Sequence, residues 1–378
     1  MSTDSGSSQH RCWLVTGGCG FIGSHFIRDS LAADADLQIV NLDLRTYAAC
    51  PLTLADLDPA RLQQVAGDIN DADLVAQLMA QHRPQALIHF AAESHVDRSI
   101  DAPQVFIHTN VNGTAQLLEQ TLRYWSRLSA SDQQQFRMLH VSTDEVYGSL
   151  GASGRFSEAS PYRPNSPYAA SKAAADHLVR AWHHTYRLPV IISNCSNNYG
   201  SHQYPEKLIP LMTLKAFAGE PLPVYGAGTQ VRDWLHVSDH VRALQTMLAA
   251  GQAGRVYNVG GDNEQRNIDI VEMICDLVDE LTPQAGSRRQ LIRHVSDRPG
   301  HDQRYAVDAS RLRDELGWRP QIDFAQGLRA TVQWYRQHAD WVAAAQAAYQ
   351  GQRLGQARAF GHAASNSATA STAQALPR

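Results

Sequence analysis

The sequence is poor in cysteine, carries only a small excess of negative charge and has no long hydrophobic run. Its five cysteines, Cys12, Cys19, Cys50, Cys195 and Cys275, are odd in number and include no CxxC pair. That spacing argues against a disulfide framework or a zinc site and suits a reducing cytoplasm. No stretch approaches the roughly 18 apolar residues of a membrane span, and the polar start MSTDSGSSQH lacks the apolar segment of a secretory signal. Lys and Arg number 33 against 37 Asp and Glu, a net charge of −4, so neither a nucleic-acid nor a membrane surface is expected. What is present, 43% hydrophobic and 19% charged residues over 378 positions, is the composition of a folded protein. Its length allows about two or three domains, or one with an inserted lobe.

Short β-rich runs alternate with helical periods: CWLV, FIGSHFIRDSLA, LQIVNLD, DADLVAQLMAQH, ALIHFAA, VNGTAQLLEQTLRYW and MLHVST. This order reads as repeated βαβ units, an α/β fold with a doubly wound parallel sheet and helices on both faces. The pattern weakens after Asn197. We expect the sheet domain over residues 11–196, with 233–260 returning to it. Residues 197–232 and 261–350 are expected to form a smaller mixed α/β lobe. Residues 1–10 read as a disordered leader and 351–378, rich in Ala, Ser, Thr, Gln and Gly, as a disordered tail.

Three motifs carry chemistry. In Leu14-Val15-Thr16-Gly17-Gly18-Cys19-Gly20-Phe21-Ile22-Gly23, between a strand-like and a helix-like run, Gly17 permits a tight turn. Gly20 lets the backbone approach a pyrophosphate, and Gly23 brings helix and strand close. Three glycines alone could mark only a turn. Asp43, twenty residues after Gly23, adds a carboxylate able to accept ribose hydroxyls and to repel a 2′-phosphate, favouring NAD; Arg45 beside it argues weakly the other way. Asp68 and Ile69 sit where a third strand would end. In Ser166-Pro167-Tyr168-Ala169-Ala170-Ser171-Lys172, Ser166 is an N-cap and Pro167 a first helical residue. Tyr168 and Lys172 then share a helix face, and the ammonium should lower the phenol's pKa towards neutrality. A Tyr-x-x-x-Lys spacing by itself is common on amphipathic helices; the upstream glycines make it specific. Finally, Thr143-Asp144-Glu145 follows the buried-strand pattern 138–141, at the carboxyl edge where open α/β sheets bind ligands. A loop pair of solvated acids is the plain alternative, but two carboxylates there suit proton transfers beyond alcohol oxidation.

TGGCGFIG, FAAESHVDRS, STDEVYG, SPYAASK, NCSNNYG, YPEKLIP, RDWLHV, DRPGHDQRYA and LGWRP, in this order, resemble the dTDP-glucose 4,6-dehydratase family. That family belongs to the extended short-chain dehydrogenase/reductases, which have a Rossmann-type sheet. The resemblance spans about residues 11–340. It implies a catalytic set of Thr143, Asp144, Glu145, Tyr168 and Lys172. It implies an NAD site built from Gly17, Gly20, Phe21, Ile22, Gly23, Asp43, Leu44, Arg45, Thr46, Asp68, Ile69, Phe90, Ala91, Ala92, Glu93, Ser94, Thr109, Tyr168, Lys172 and Asn198. The nucleotide sugar would meet Ser94, Thr143, Asn197, Lys207, Leu208, Pro223, Val224, Tyr225, Arg232, Asn267, Asp297, Arg298, Pro299, Gly300 and His301. Lys207, Arg232 and Arg298 make a reasonable pyrophosphate clamp, although any one alone could be a surface charge. The resemblance further implies a homodimer joined by a four-helix bundle, from the helix at about Val111 to Trp125 and the one carrying Tyr168.

The sequence departs from that family at Cys19, where Ala is usual, and at the centre of Asp43-Leu44-Arg45-Thr46. It also departs at Ser201-His202-Gln203-Tyr204 and His236, and in a short segment between Gly148 and Asn165. His89, His108, His183 and His184 have no metal-ligand spacing, and Trp182 and Tyr186 read as packing. Two alternatives stay open: another nucleotide-sugar enzyme of the same fold, such as a 4-epimerase or a UDP- or GDP-sugar dehydratase, and a non-catalytic NAD sensor.

Overall fold

The computed structural model describes residues 11–347; the leader expected at 1–10 and the tail expected at 351–378 lie outside them. Seven strands form one parallel sheet in the order β10-β6-β5-β4-β1-β2-β3. They are β1 (Arg11–Thr16), β2 (Leu37–Asp43), β3 (Leu62–Ala66), β4 (Ala86–His89), β5 (Arg137–Thr143), β6 (Val190–Cys195) and β10 (Val256–Val259). The order reverses between β1 and β4, and that switch point opens a crevice at the carboxyl edge. This is the doubly wound α/β architecture that the alternating pattern predicts.

The strands are apolar on both faces because helices cover both. Leu14, Leu87 and Ile192 face one core, with Val75 and Val179 from the helices Ala72–His82 and Pro167–Tyr186. Their neighbours Val15, Ile88 and Ile191 face the other, with Phe26 and Ile27 of Phe21–Ala33 and Leu244 of Val237–Ala250. Each such side chain contributes roughly 1.5–3 kcal/mol by leaving water, which holds the strand register and so the positions of the strand ends.

Beyond the carboxyl edge lie a three-stranded sheet, β11-β9-β7, and a two-stranded one, β12-β8. These use β7 (Asn197–Tyr199), β8 (Leu222–Tyr225), β9 (Val231–His236), β11 (Glu264–Arg266) and β12 (Ile292–Val295). A separate apolar core, including Ile209, Met212, Ile270, Ile274 and Leu328, holds this part together. Among the described residues, no helix is long and apolar enough to cross a membrane.

Candidate active site

Gly17 follows β1 with φ +75°, and a Cβ there would lie 2.4 Å from the backbone nitrogen of Ala91. At Gly23 a Cβ would come within 2.6 Å of the Gly17 carbonyl. Only glycine lets the turn, the helix Phe21–Ala33 and the end of β4 approach this closely, leaving a cradle at the helix N-terminus. Asp43, at the end of β2, is 8% exposed and braces the same turn. Its two oxygens accept the N–H groups of Cys19 (2.8 Å) and Arg45 (2.7 Å). Each oxygen keeps a lone pair for a ribose hydroxyl.

From this cradle a cleft of about 1640 Å³, its open mouth included, runs along the carboxyl edge. Gly17, Gly20 to Gly23, Asp43, Leu44, Thr46, Asp68, Ile69, Phe90 to Ser94, Thr109 and Asn198 all line it. Arg45 does not: it is exposed, in a left-handed turn with φ 54°.

Thr143, Asp144, Glu145, Tyr168 and Lys172 line the same cleft. Thr143 is the last residue of β5, and its hydroxyl accepts the Glu145 N–H at 3.3 Å, winding Asp144–Tyr147 into a single 3₁₀ turn. Ser166 caps Pro167–Tyr186 as the sequence predicts, accepting the Ala169 N–H at 3.0 Å. Tyr168 and Lys172 are both buried on this helix, and the ammonium donates to the Val141 carbonyl at 2.8 Å.

The carboxylates experience different surroundings. Burial, then the neighbouring Glu145, pushes Asp144 well above the usual carboxylate range, and its Oδ2 is buried without a hydrogen-bond partner among the described residues. Burial also raises Glu145, but Arg298, Arg232 and Lys207 pull it back down. Tyr168 departs from the sequence expectation. Burial, followed by Glu145, pushes its phenol well above its ordinary value, and a hydrogen bond with Thr143 works only weakly the other way. The Lys172 ammonium and the positive helix end both favour the phenolate, but the ammonium is turned to Val141, and desolvation wins.

The proposed clamp residues are not surface charges. Arg232 is 5% exposed, lies over the Tyr305 ring at 4.3 Å and donates to the Asp302 carbonyl at 2.9 Å. Arg298 pairs with Asp97 at 2.6 Å, and the Tyr225 hydroxyl donates to the same carboxylate at 2.8 Å. Lys207 donates to the Ser94 carbonyl at 2.9 Å. Asn197 and Lys207 line the cleft; Leu208, Pro223 to Tyr225, Arg232, Asn267 and 297–301 are not among the residues that line it. The side chain of Val224 packs in the apolar core of the smaller lobe, and that of Leu208 lies against it. Pro299 and Gly300 form a turn, closed by His301 Nδ1 against Asp297 Oδ1 at 2.6 Å.

Several residues of the site have no sequence signal of their own. Glu206 receives the Tyr47 hydroxyl and the Arg98 guanidinium, each at 2.9 Å, drawing the segment after β2 towards the smaller lobe. A π-helical stretch, Ile107–Gly113, turns Asn110 onto Glu93 and onto the Ser171 hydroxyl at 2.8 Å. Ala48, Cys195, Ser196, Gln203 and Tyr204 also line the cleft. Asp97 and Arg98 lie within FAAESHVDRS, but nothing in that motif marks them as partners of distant residues.

The family described as GDP-mannose 4,6 dehydratase matches residues 14–331. A dTDP-glucose 4,6-dehydratase of Xanthomonas campestris pv. campestris (strain B100) is 57% identical over 87% of this chain and 94% of its own. Another, from Escherichia coli (strain K12), is 52% identical over the same shares. The dTDP-glucose 4,6-dehydratase DesIV of Streptomyces venezuelae, solved with NAD and TYD bound, superposes with a TM-score of 0.79 at 47% identity, covering 87% of this chain and 98% of its own. The UDP-glucose 4-epimerase of Thermus thermophilus, solved with NAD, reaches 0.76 at 27% identity, covering 86% and 99%. The fold alone therefore does not separate dehydratase from epimerase, whereas the sequence likeness does. The chain belongs to this family of nucleotide-sugar dehydratases, on the branch of the dTDP-glucose 4,6-dehydratases.

Proposed function

We infer that the protein converts dTDP-glucose to dTDP-4-keto-6-deoxyglucose and water, using bound NAD. The observation that carries this reading is the meeting of Tyr168 with two differently placed carboxylates in one cleft. The cradle at Gly17 and Gly23, with Asp43 behind it, suits a dinucleotide, and Lys172 would hold its nicotinamide ribose. NAD, when bound, supplies the acceptor for the hydride of carbon 4 and its return to carbon 6, so no net redox occurs. Tyr168 takes the proton from the hydroxyl on carbon 4, and Thr143 orients that oxygen. Glu145, which burial raises while three cations oppose that rise, removes the proton on carbon 5, which the new ketone acidifies. Asp144 stays protonated because it is buried beside Glu145, and it donates to the hydroxyl leaving carbon 6. A pair of acids whose surroundings separate their pKa values can divide base and acid roles in this way. Lys207, Arg232 and Arg298 supply positive charge for the pyrophosphate. The enzyme works as a cytoplasmic homodimer through helices Thr114–Trp125 and Pro167–Tyr186; Tyr186, exposed at the end of the second, supports that assembly, and five free cysteines support that compartment.

Incubating the enzyme with dTDP-, UDP- and GDP-linked hexoses and weighing the products tests the reaction. Loss of one water from dTDP-glucose is expected; a product of unchanged mass would mean epimerisation and would overturn it. Gly17→Ala tests the cradle. A methyl group 2.4 Å from backbone, at a φ of +75°, cannot be absorbed by a side-chain rotation. NAD retained through gel filtration should fall at least about tenfold, since even a cost near 1.4 kcal/mol is a factor of ten. Retention at the unsubstituted level would remove the turn from the cofactor site.

A further inference from the structure

Asp176 follows Lys172 by one helical turn on Pro167–Tyr186 and is fully buried, yet it does not line the cleft. Its Oδ2 accepts the Ser142 hydroxyl and the Tyr162 hydroxyl, each at 2.9 Å. Its Oδ1 faces His140 Nε2 at 3.2 Å. His140 from β5 and Tyr162 from the 148–165 segment touch it, and on its own helix the titratable groups whose charge acts on it are Lys172, one turn earlier, and His177, the next residue. His140 is fully buried and held well below its ordinary value by desolvation, so it stays neutral. Lys172 is the buried cation of this group, and among the described residues its ammonium donates to a neutral carbonyl, that of Val141.

A buried ammonium without a countercharge sheds its proton, because desolvation penalises the charged form. We propose that Asp176 is a positioning residue for the dehydration, the buried countercharge that keeps Lys172 an ammonium beside Tyr168 while its hydrogen bonds tie β5 to the 148–165 segment. It touches neither reacting atoms nor the cleft, and it acts through Lys172. Burial lowers Lys172 and the Asp176 charge opposes that fall, in keeping with this role. The idea rests on the dehydratase reading, in which Lys172 must remain charged during turnover.

Asp176→Asn removes the charge and keeps the shape. The amide oxygen can still accept from Ser142 and Tyr162, and the amide N–H can donate to His140 Nε2. Without the carboxylate Lys172 loses its proton at lower pH, so the alkaline limb of the kcat profile on dTDP-glucose should move down by about one pH unit. A purely structural role would leave that limb in place. Tyr162→Phe deletes a hydrogen bond to Asp176 but no charge, and its alkaline limb should coincide with that of the unsubstituted enzyme. A shifted limb in Tyr162→Phe, or an unmoved one in Asp176→Asn, would overturn the assignment of Asp176. Absence of any turnover by the unsubstituted enzyme would instead overturn the dehydratase reading on which it rests.

Discussion

Glu145→Gln should nearly stop the loss of water while leaving the oxidation at carbon 4 in place. Gln fills the same space and keeps the backbone N–H that Thr143 accepts, so the 3₁₀ turn is preserved. What disappears is the base. Positioned general bases contribute roughly 10²–10⁴ in rate, and a fall of that size is expected in the release of water and in solvent-deuterium entry at carbon 5. The near-ultraviolet band of reduced nicotinamide should then persist after substrate is added, because oxidation has outrun elimination. Equal losses in both steps, with the fold intact, would remove Glu145 from the elimination and leave it a structural acid. Three cations surround this carboxylate, so the amide also leaves net positive charge behind, and nucleotide-sugar binding should hold or tighten.

Tyr168→Phe should have the opposite signature. With the phenol gone, oxidation itself falls by roughly 10²–10⁴, and no reduced cofactor builds up on mixing. The ring stays against Phe106, at 6.3 Å between centroids, so the helix keeps its seat. NAD content should be unchanged, because Lys172 and the glycine turn remain, which separates this variant from Gly17→Ala. There is a pH corollary. Burial and Glu145 hold the phenol protonated near neutrality, so in the unsubstituted enzyme the basic form becomes more abundant as pH rises. Oxidation should therefore accelerate with pH over its acidic limb, by up to about tenfold per pH unit, and the acceleration should vanish in Tyr168→Phe. If the limb survives in the Phe variant, the phenol is not the group that titrates.

Much of this site is legible in the chain because its signals are local. The glycine turn needs only a strand before it and a helix after it. The helix cap at Ser166 and the four-residue step from Tyr168 to Lys172 lie within about two turns of one helix. Thr143-Asp144-Glu145 is placed by the strand that precedes it. The Tyr168 expectation failed for a reason that spacing does not carry. Two residues on one helix face can point their polar ends to different partners, and the Lys172 ammonium went to Val141. Nor does spacing show the packing of Leu208 and Val224: their motifs mark the smaller lobe, but which face of each element turns inward depends on the core it meets.

The chain by itself determined the βαβ order, the dinucleotide turn, and which phenol, lysine and acids stand at strand ends and helix starts. Each of these follows from backbone sterics and hydrophobic period over a few residues. Only the tertiary structure decided the charge around them. Asp97 meets Arg298 across 201 residues of sequence, Glu206 meets Arg98 across 108, and Ser142 meets Asp176 across 34. Proton affinity depends on burial and on the charges nearby in space, and both come from long-range packing, so the protonation of Asp144, Glu145 and Tyr168 took shape only when the sheet edge and the smaller lobe closed on one another.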